Sequence, residues 1–180
     1  MADSNITKQA LAAALKGQME AKPFSKISVG DICAACGMNR KSFYYHFKDK
    51  YDLVNWVFYT EFILPSFSEG RERGWAVLGR LCQYLYENQG FYRKILALEG
   101  QNSFGEYFRD IISPAIQEDV ERLFGQGEAN DFYVDFYLDA FLAAIKRWLL
   151  AKSPMPAEVF VLHLRRCLAG LSQRAAEDPG

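Results

Sequence analysis

The chain contains no run of about 18 apolar residues, so no stretch of it has the length and character of a membrane-spanning helix. Its start, MADSNITKQ, has neither the basic beginning nor the apolar segment of a secretory signal. A soluble, cytoplasmic protein with no membrane partner is expected. Strand alternation and hairpin signals are missing as well, which leaves an all-α chain. Histidine occurs only at His46 and His163. No paired carboxylates at a convincing site, metal-ligand cluster, phosphate-binding glycine loop or serine–histidine arrangement accompanies them, so no enzyme, metal or cofactor is expected. Cysteine is sparse too, at Cys33, Cys36, Cys82 and Cys167. The first two form a CxxC. A zinc site needs a second pair or nearby histidines, and a redox site needs its first cysteine at a helix N-terminus in a strand–helix unit; neither context is present, so Cys33 and Cys36 are read as packing residues.

Net charge is also nearly absent, at −1. Spread evenly, that balance would argue against nucleic acid, but it is not even. Residues 1–50 hold eight Lys or Arg and four Asp or Glu, a net of +4, whereas the remaining residues hold 13 and 18, a net of −5. A basic head on an acidic body is the charge pattern of a DNA-binding unit joined to one that stays off the duplex. Half of the 180 residues are hydrophobic and 15% are aromatic, ample for a substantial core in one or two domains.

The most informative stretch is SVGDICAACGMNRKSFYYHFKDKYDL, Ser28 to Leu53. Ser28 is placed to cap a short helix through Asp31, Ile32 and Cys33, with Asp31 completing a capping box. Gly37 ends that helix, because glycine accepts the left-handed backbone that reverses the chain. Asn39 caps a second helix in which Phe43 and Phe47, four apart, share an inward face with Met38 nearby. Arg40, Lys41, Tyr44 and Tyr45 are left on the outer face. Cations and phenols together on one exposed surface suit a groove lined by base edges and phosphates. His46, Lys48 and Lys50 continue the basic character, and Asp49 caps the next helix.

Ile32, Gly37, Phe43, Tyr44, His46, Phe47, Lys50 and Leu53, at this spacing, resemble the helix-turn-helix DNA-binding domain of the TetR family of transcriptional regulators. The chain departs from the family pattern with Cys33 and Cys36 where alanine is usual, Met38 for valine, Asn39 for serine and Asp49 for serine. These swaps keep size and capping ability. Looser similarity, in NRKSFYYHFKDKYDLVNW and FLAAIKRWLLAK, is to the Firmicutes-type branch that includes regulators of dihydroxyacetone-kinase operons. The resemblance implies phosphate contacts from Ser28, Tyr44, His46 and Lys50 and groove contacts from Asn39, Arg40, Lys41, Ser42 and Tyr45. A packing role is the alternative for Tyr44 and His46.

In chain order, a first helix from about Ser4 to Ala21 presents Ile6, Ala10, Leu11, Ala14, Leu15 and Met19 as one apolar stripe and closes a three-helix head over residues 1–50. Pro23 breaks it, and Phe24 and Ile27 anchor the connection. A linking helix over 51–64 carries Leu53, Val54, Val57, Phe58, Phe62 and Ile63, and Pro65 with SFSEG marks its end and the domain transition near 64–71. In TetR-like proteins the swing of the corresponding helix changes the spacing of two reading heads. Residues 51–180 read as an effector-binding and dimerisation body, giving about nine helices in all, of which the last five are Glu72–Asn88, a short one ending at Gly100, Ser103–Phe124 kinked or split by Pro114, Phe132–Ala151 and Ala157–Ala176. The last two are apolar on several faces, so they are read as a dimer interface, a four-helix bundle across a two-fold axis carried by Phe141, Ile145, Trp148, Phe160, His163, Leu164 and Cys167.

Tyr84, Phe91, Tyr92, Phe104, Tyr107, Phe108, Phe124 and Tyr137 are candidates to line a small-molecule pocket, with ordinary aromatic core as the alternative; Arg93, Lys94 and Glu99 are the nearby charges. The functional reading is a homodimeric regulator on palindromic double-stranded DNA, a repressor released by a small-molecule effector. An activator controlled by a protein co-regulator, and a helical interaction module without specific DNA binding, stand as alternatives.

Overall fold

Helices account for all regular structure among the residues described by the computed structural model, which are 2–68, 74–98, 104–128 and 130–177. Among these residues the chain forms ten α segments, two of them fused through a π turn into one rod, so nine rods in all. None is long and apolar enough to cross a membrane.

Helix α1, Ala2–Ala21, buries Leu11, Leu15 and Met19 at fourfold spacing. The buried stripe begins only at Leu11; Ile6, which the spacing assigns to it, stands 62% exposed. Pro23 terminates the helix, and a 3-10 turn, Phe24–Lys26, plugs Phe24 and Ile27 into the core. Helices α2, Val29–Ala35, and α3, Arg40–His46, pack beneath α1 through Ile32, Cys33, Phe43 and Phe47. Burying a side chain of this size contributes about 1.5–3 kcal/mol, which is what holds two seven-residue helices that would not persist alone.

Helix α4, Lys50–Phe58, begins in the head with Leu53, Val54 and Val57 and ends in the body with Phe58, all fully buried. The sequence places its end at Pro65, but the rod continues as a π turn, Tyr59–Ile63, and then α5, Leu64–Ser68. Proline removes the amide that would bond the Glu61 carbonyl and crowds that carbonyl with its ring. Widening the preceding turn relieves the conflict: the Leu64 amide reaches back to Tyr59 O. Thr60 Oγ1 donates to Trp56 O at 2.8 Å and Ser66 Oγ to Phe62 O at 2.7 Å, binding the side chains to the loosened ladder. The expected transition segment beyond Ser68, Glu72, Glu99, Gly100 and Ser103 lie outside the described residues.

The body consists of α6, Trp75–Glu87; α7, Gln89–Leu96; α8, Phe104–Phe124; α9, Asn130–Leu150; and α10, Ala157–Glu177. Pro114 does not split α8, which runs uninterrupted past it. The proline is exposed, while Phe104, Phe108 and Val120 on the same helix are buried, and that packing outweighs one missing ladder bond. Arg109 reaches from α8 to Asp135 at 3.1 Å and also to Asp139, tying α8 to α9. The α9–α10 corner closes where Trp148 stacks on Phe160 with centroids 4.3 Å apart, lies parallel to Tyr86 of α6 at 6.0 Å, and donates from its indole N–H to Met155 O at 2.8 Å.

Candidate nucleic-acid interface

Three caps set the attitude of the reading helices. Ser28 caps α2 with a full capping box: the Asp31 amide donates to Ser28 Oγ at 3.1 Å while the Ser28 amide donates to Asp31 Oδ2 at 2.9 Å. The Ser28 hydroxyl also donates to that oxygen at 2.8 Å. These bonds from the Ser28 amide and hydroxyl, with Lys22 and Arg40 nearby, hold the Asp31 carboxyl below the usual carboxylate range. Gly37, at φ +66°, makes the reversal that glycine alone takes without strain. Asn39 then caps α3, its Oδ1 accepting from the Ser42 amide at 2.8 Å and from Ser42 Oγ at 3.2 Å. Asp49 caps α4 by accepting from the amides of Tyr51 and Asp52 at 2.8 and 2.9 Å.

With both ends fixed, α3 divides into two faces. Phe43 and Phe47 are buried against α1 and α4, whereas Arg40 and Lys41 are exposed, Tyr44 is 58% exposed and Tyr45 82% exposed. Tyr45 stands edge-on to the half-buried His46 at 4.9 Å, and Tyr44 edge-on to Phe43 at 5.5 Å, so each phenol is braced at its ring. Among the described residues no ion pair ties down Arg40 or Lys41. Arg40 folds over Gly30 of α2, where a side-chain carbon would come within 2.6 Å of its Nη2, so the missing side chain makes room for the guanidinium. The cysteines serve the turn itself: Cys33 Sγ points to Asn39 O at 3.6 Å and Cys36 Sγ to Ile32 O at 3.4 Å. Burial pushes the Cys33 thiol up, away from the thiolate that a nucleophile or metal ligand requires.

Two of the residues assigned to phosphate have hydrogen-bond partners within the head. The Ser28 hydroxyl proton is spent on Asp31. Lys50 turns inward, its Nζ donating to Phe24 O and Ile27 O at 2.8 Å each and to Ser25 O at 3.3 Å, with the Phe24 ring 4.5 Å away. Three carbonyls exhaust the three donors of an ammonium, and burial lowers the lysine's pKa, opposed by Asp49. The spacing that places Lys50 after the reading helix carries no sign of this, because the carbonyls come from a turn more than twenty residues earlier. Lys50→Met is therefore expected to lower head stability by about 1–3 kcal/mol. The salt dependence of DNA binding is expected to stay close to that of the parent chain, and a clear flattening of the salt slope would restore Lys50 as a phosphate ligand.

The pocket and interface candidates also redistribute. A cavity of about 310 Å³ opens between α6, α7, α8 and α9, lined by Leu85, Leu96, Phe104, Gly105, Phe108, Leu142, Ala143 and Ile145 with Asp139 and Lys146. Of the aromatic candidates only Phe104 and Phe108 line it. Tyr84, Tyr92 and Tyr107 belong to the core around Phe58, and the Tyr84 and Tyr92 hydroxyls bond each other at 2.7 Å. Tyr84 donates on to Glu61 at 3.0 Å, and burial pushes both phenols well above their ordinary range. Phe91 lies under Lys16, Tyr137 is half-buried on α9, and Phe124 is exposed at the far end of α8, stacked on Tyr133. On the expected dimer face, Ile145, Trp148 and Phe160 are already buried within one chain and have no surface left to offer. Phe141 and Leu164 are half-buried, Phe141 against Trp75, while His163 and Cys167 are exposed on α10.

Comparison with known proteins adds a second line of evidence. The family profile described as "Bacterial regulatory proteins, tetR family" matches residues 8–57, and that described as "Transcriptional regulator C-terminal region" matches residues 75–170. The HTH-type dhaKLM operon transcriptional activator DhaS of Lactococcus lactis subsp. lactis (strain IL1403) is 33% identical over 109 residues, 60% of this chain and 57% of the relative. The match thus spans little more than half of that relative's length. Two solved structures share the fold at 22% identity: dihydroxyacetone kinase operon activator DhaS, with a TM-score of 0.62 over 93% of this chain and 97% of that one, and a TetR transcriptional regulator from Streptococcus agalactiae 2603V, with a TM-score of 0.68 over 89% and 92%.

Proposed function

The chain belongs to the TetR family of bacterial transcriptional regulators, and from that premise we propose that it binds a palindromic DNA operator as a homodimer, with α3 entering the major groove. The observation that carries this reading is the outer face of α3, where Arg40, Lys41, Tyr44 and Tyr45 stand exposed while Phe43 and Phe47 on the same helix are buried. Arg40 and Lys41 offer donors to base edges and phosphates, and the phenols of Tyr44 and Tyr45 reach the backbone. Asn39 and Ser42, each engaged in the cap, approach the duplex at the N-terminal end of α3, and His46 braces Tyr45. Two such helices related by a dyad enter successive major grooves about 34–36 Å apart.

The dimer face lies on the exposed side of α10, with Val159, Leu162, His163 and Cys167 in place of the interior residues of the same pair of helices. The cavity between α6 and α9 is the effector site; at about 310 Å³ it sits at the lower end of the range for small-molecule pockets, roughly 300–1,000 Å³, and its apolar lining favours a compact ligand. For the sign of regulation, the Lactococcus relative's description as a transcriptional activator favours activation over the repression that the sequence reading puts first.

Selection of bound sequences from random duplex DNA at a stated salt concentration tests the reading. Recovery of a palindrome is the expected result, and recovery of nothing above background would point to the helical interaction module instead. A reporter placed behind the recovered sequence then gives the sign: expression that rises with the regulator supports activation, and expression that falls supports repression.

A further inference from the structure

We propose that Lys94, on α7 in the body, is a positioning residue for operator binding, because its ammonium supplies the helix-ending donor that Pro23 withholds from α1. The proposal rests on the dimeric operator-binding reading above.

The defect it repairs is visible in the sequence. The last carbonyls of a helix have no partner within it, and that of Met19 would ordinarily bond the amide four residues on, which is residue 23, a proline with no N–H. The preceding carbonyl is satisfied normally, Lys22 N donating to Gln18 O at 3.0 Å. The last turn of α1 also contains no basic residue of its own to meet the negative end of the helix dipole. Lys94 Nζ donates to Met19 O and lies 3.4 Å from Glu20 O, so the missing donor and the missing charge both arrive from the other part of the molecule.

Lys94 is well placed to transmit position. Tyr92 and Ile95, its neighbours on α7, are buried in the body core, and Tyr92 is further held by the Tyr84 hydroxyl. The head and body also meet at Lys16 and Glu61, 2.5 Å apart, but both side chains of that pair are more than a third exposed and solvent screens it. The Lys94 bonds reach the end of α1, where the Met19 carbonyl has lost its in-register amide to Pro23. They fix the end of α1, and α1 covers α2 and α3, so the angle of the reading helix relative to the body follows from them.

A spin label carried by an unnatural amino acid in place of Ala13, an exposed α1 position, leaves all four cysteines as they are and reports the distance between the two heads of the dimer without DNA. Lys94→Met is expected to broaden that distance distribution, and Lys94→Arg, which restores a cationic donor, to keep it narrow. On the selected palindrome, Lys94→Met is expected to lose on the order of ten-fold in affinity and to discriminate less against one extra central base pair, while an isolated half-site binds as before. A distribution as narrow as the parent's, or half-site affinity falling in step with the palindrome, would overturn the positioning role. A parent chain giving no dipolar signal would instead refute the dimer, and the proposal with it.

Discussion

Phe58→Ala is expected to destabilise the protein by about 3–5 kcal/mol, the range for emptying a fully buried phenylalanine site. Phe58 is the last residue of α4, fully buried, and six aromatic rings surround it: Phe62, Tyr84, Tyr92, Phe104, Tyr107 and Phe108, with centroids 5.2–6.4 Å away. These rings come from the π turn, α6, α7 and α8, so the void would sit where four parts of the chain meet. Close-packed aromatic walls collapse poorly into such a void, which puts the cost at the upper part of the large-to-small range. Urea unfolding checks it: a lower midpoint at unchanged slope reads as lost stability. Tyr45→Ala serves as the surface control, expected within about 0.5 kcal/mol because that ring is 82% exposed. A loss below about 1 kcal/mol for Phe58→Ala would mean that the aromatic cluster is not the junction between head and body.

The contrast between these two aromatics also shows what sequence pattern reveals. Short-range chemistry is legible: Ser28, Asn39 and Asp49 cap as their types and positions predict, Gly37 takes the positive φ, and the fourfold spacing of Phe43 and Phe47 separates the inner from the outer face of α3. Each of those outcomes is decided within a few residues. Long-range assignments are not decided there. Lys50 faces the 3-10 turn and Lys94 faces the end of α1, pairings separated by 23 to 26 and by 75 residues, and for Lys94 the carbonyl that Pro23 leaves unmet rather than the lysine is the sequence signal. Helix α9 is apolar on several faces, so periodicity alone does not tell which face meets α6, which meets α8 and which is left for a partner. Ile145 and Trp148 are therefore interior although their helix reads as an interface. Pro65 is a breaker by type, but the helix continues on both sides of it and absorbs the defect as one π turn.

Replacing both Arg40 and Lys41 with alanine is expected to reduce affinity for the selected operator on the order of 100-fold or more, since each contact of this kind contributes about 1–3 kcal/mol. The two residues are adjacent, so their effects need not add, and each single substitution belongs beside the double one. Stability provides the first check: both side chains are exposed and neither is ion-paired among the described residues, so thermal unfolding is expected to move little. Salt dependence then assigns the roles. A residue on a phosphate lowers affinity for every sequence and reduces the salt slope by about 0.9. A residue on a base edge lowers the ratio of specific to non-specific binding and leaves the slope in place. Arg40 lies at the first turn of α3 over the cleft that Gly30 leaves, and its forked guanidinium suits a base edge, so Arg40→Ala is expected to relax the sequence preference at one position. Lys41, a flexible point charge beside it, is expected to divide its effect between affinity and slope. Unchanged operator affinity in both single variants would remove α3 as the reading helix, and with it the assignment of the exposed tyrosines that follow on the same face.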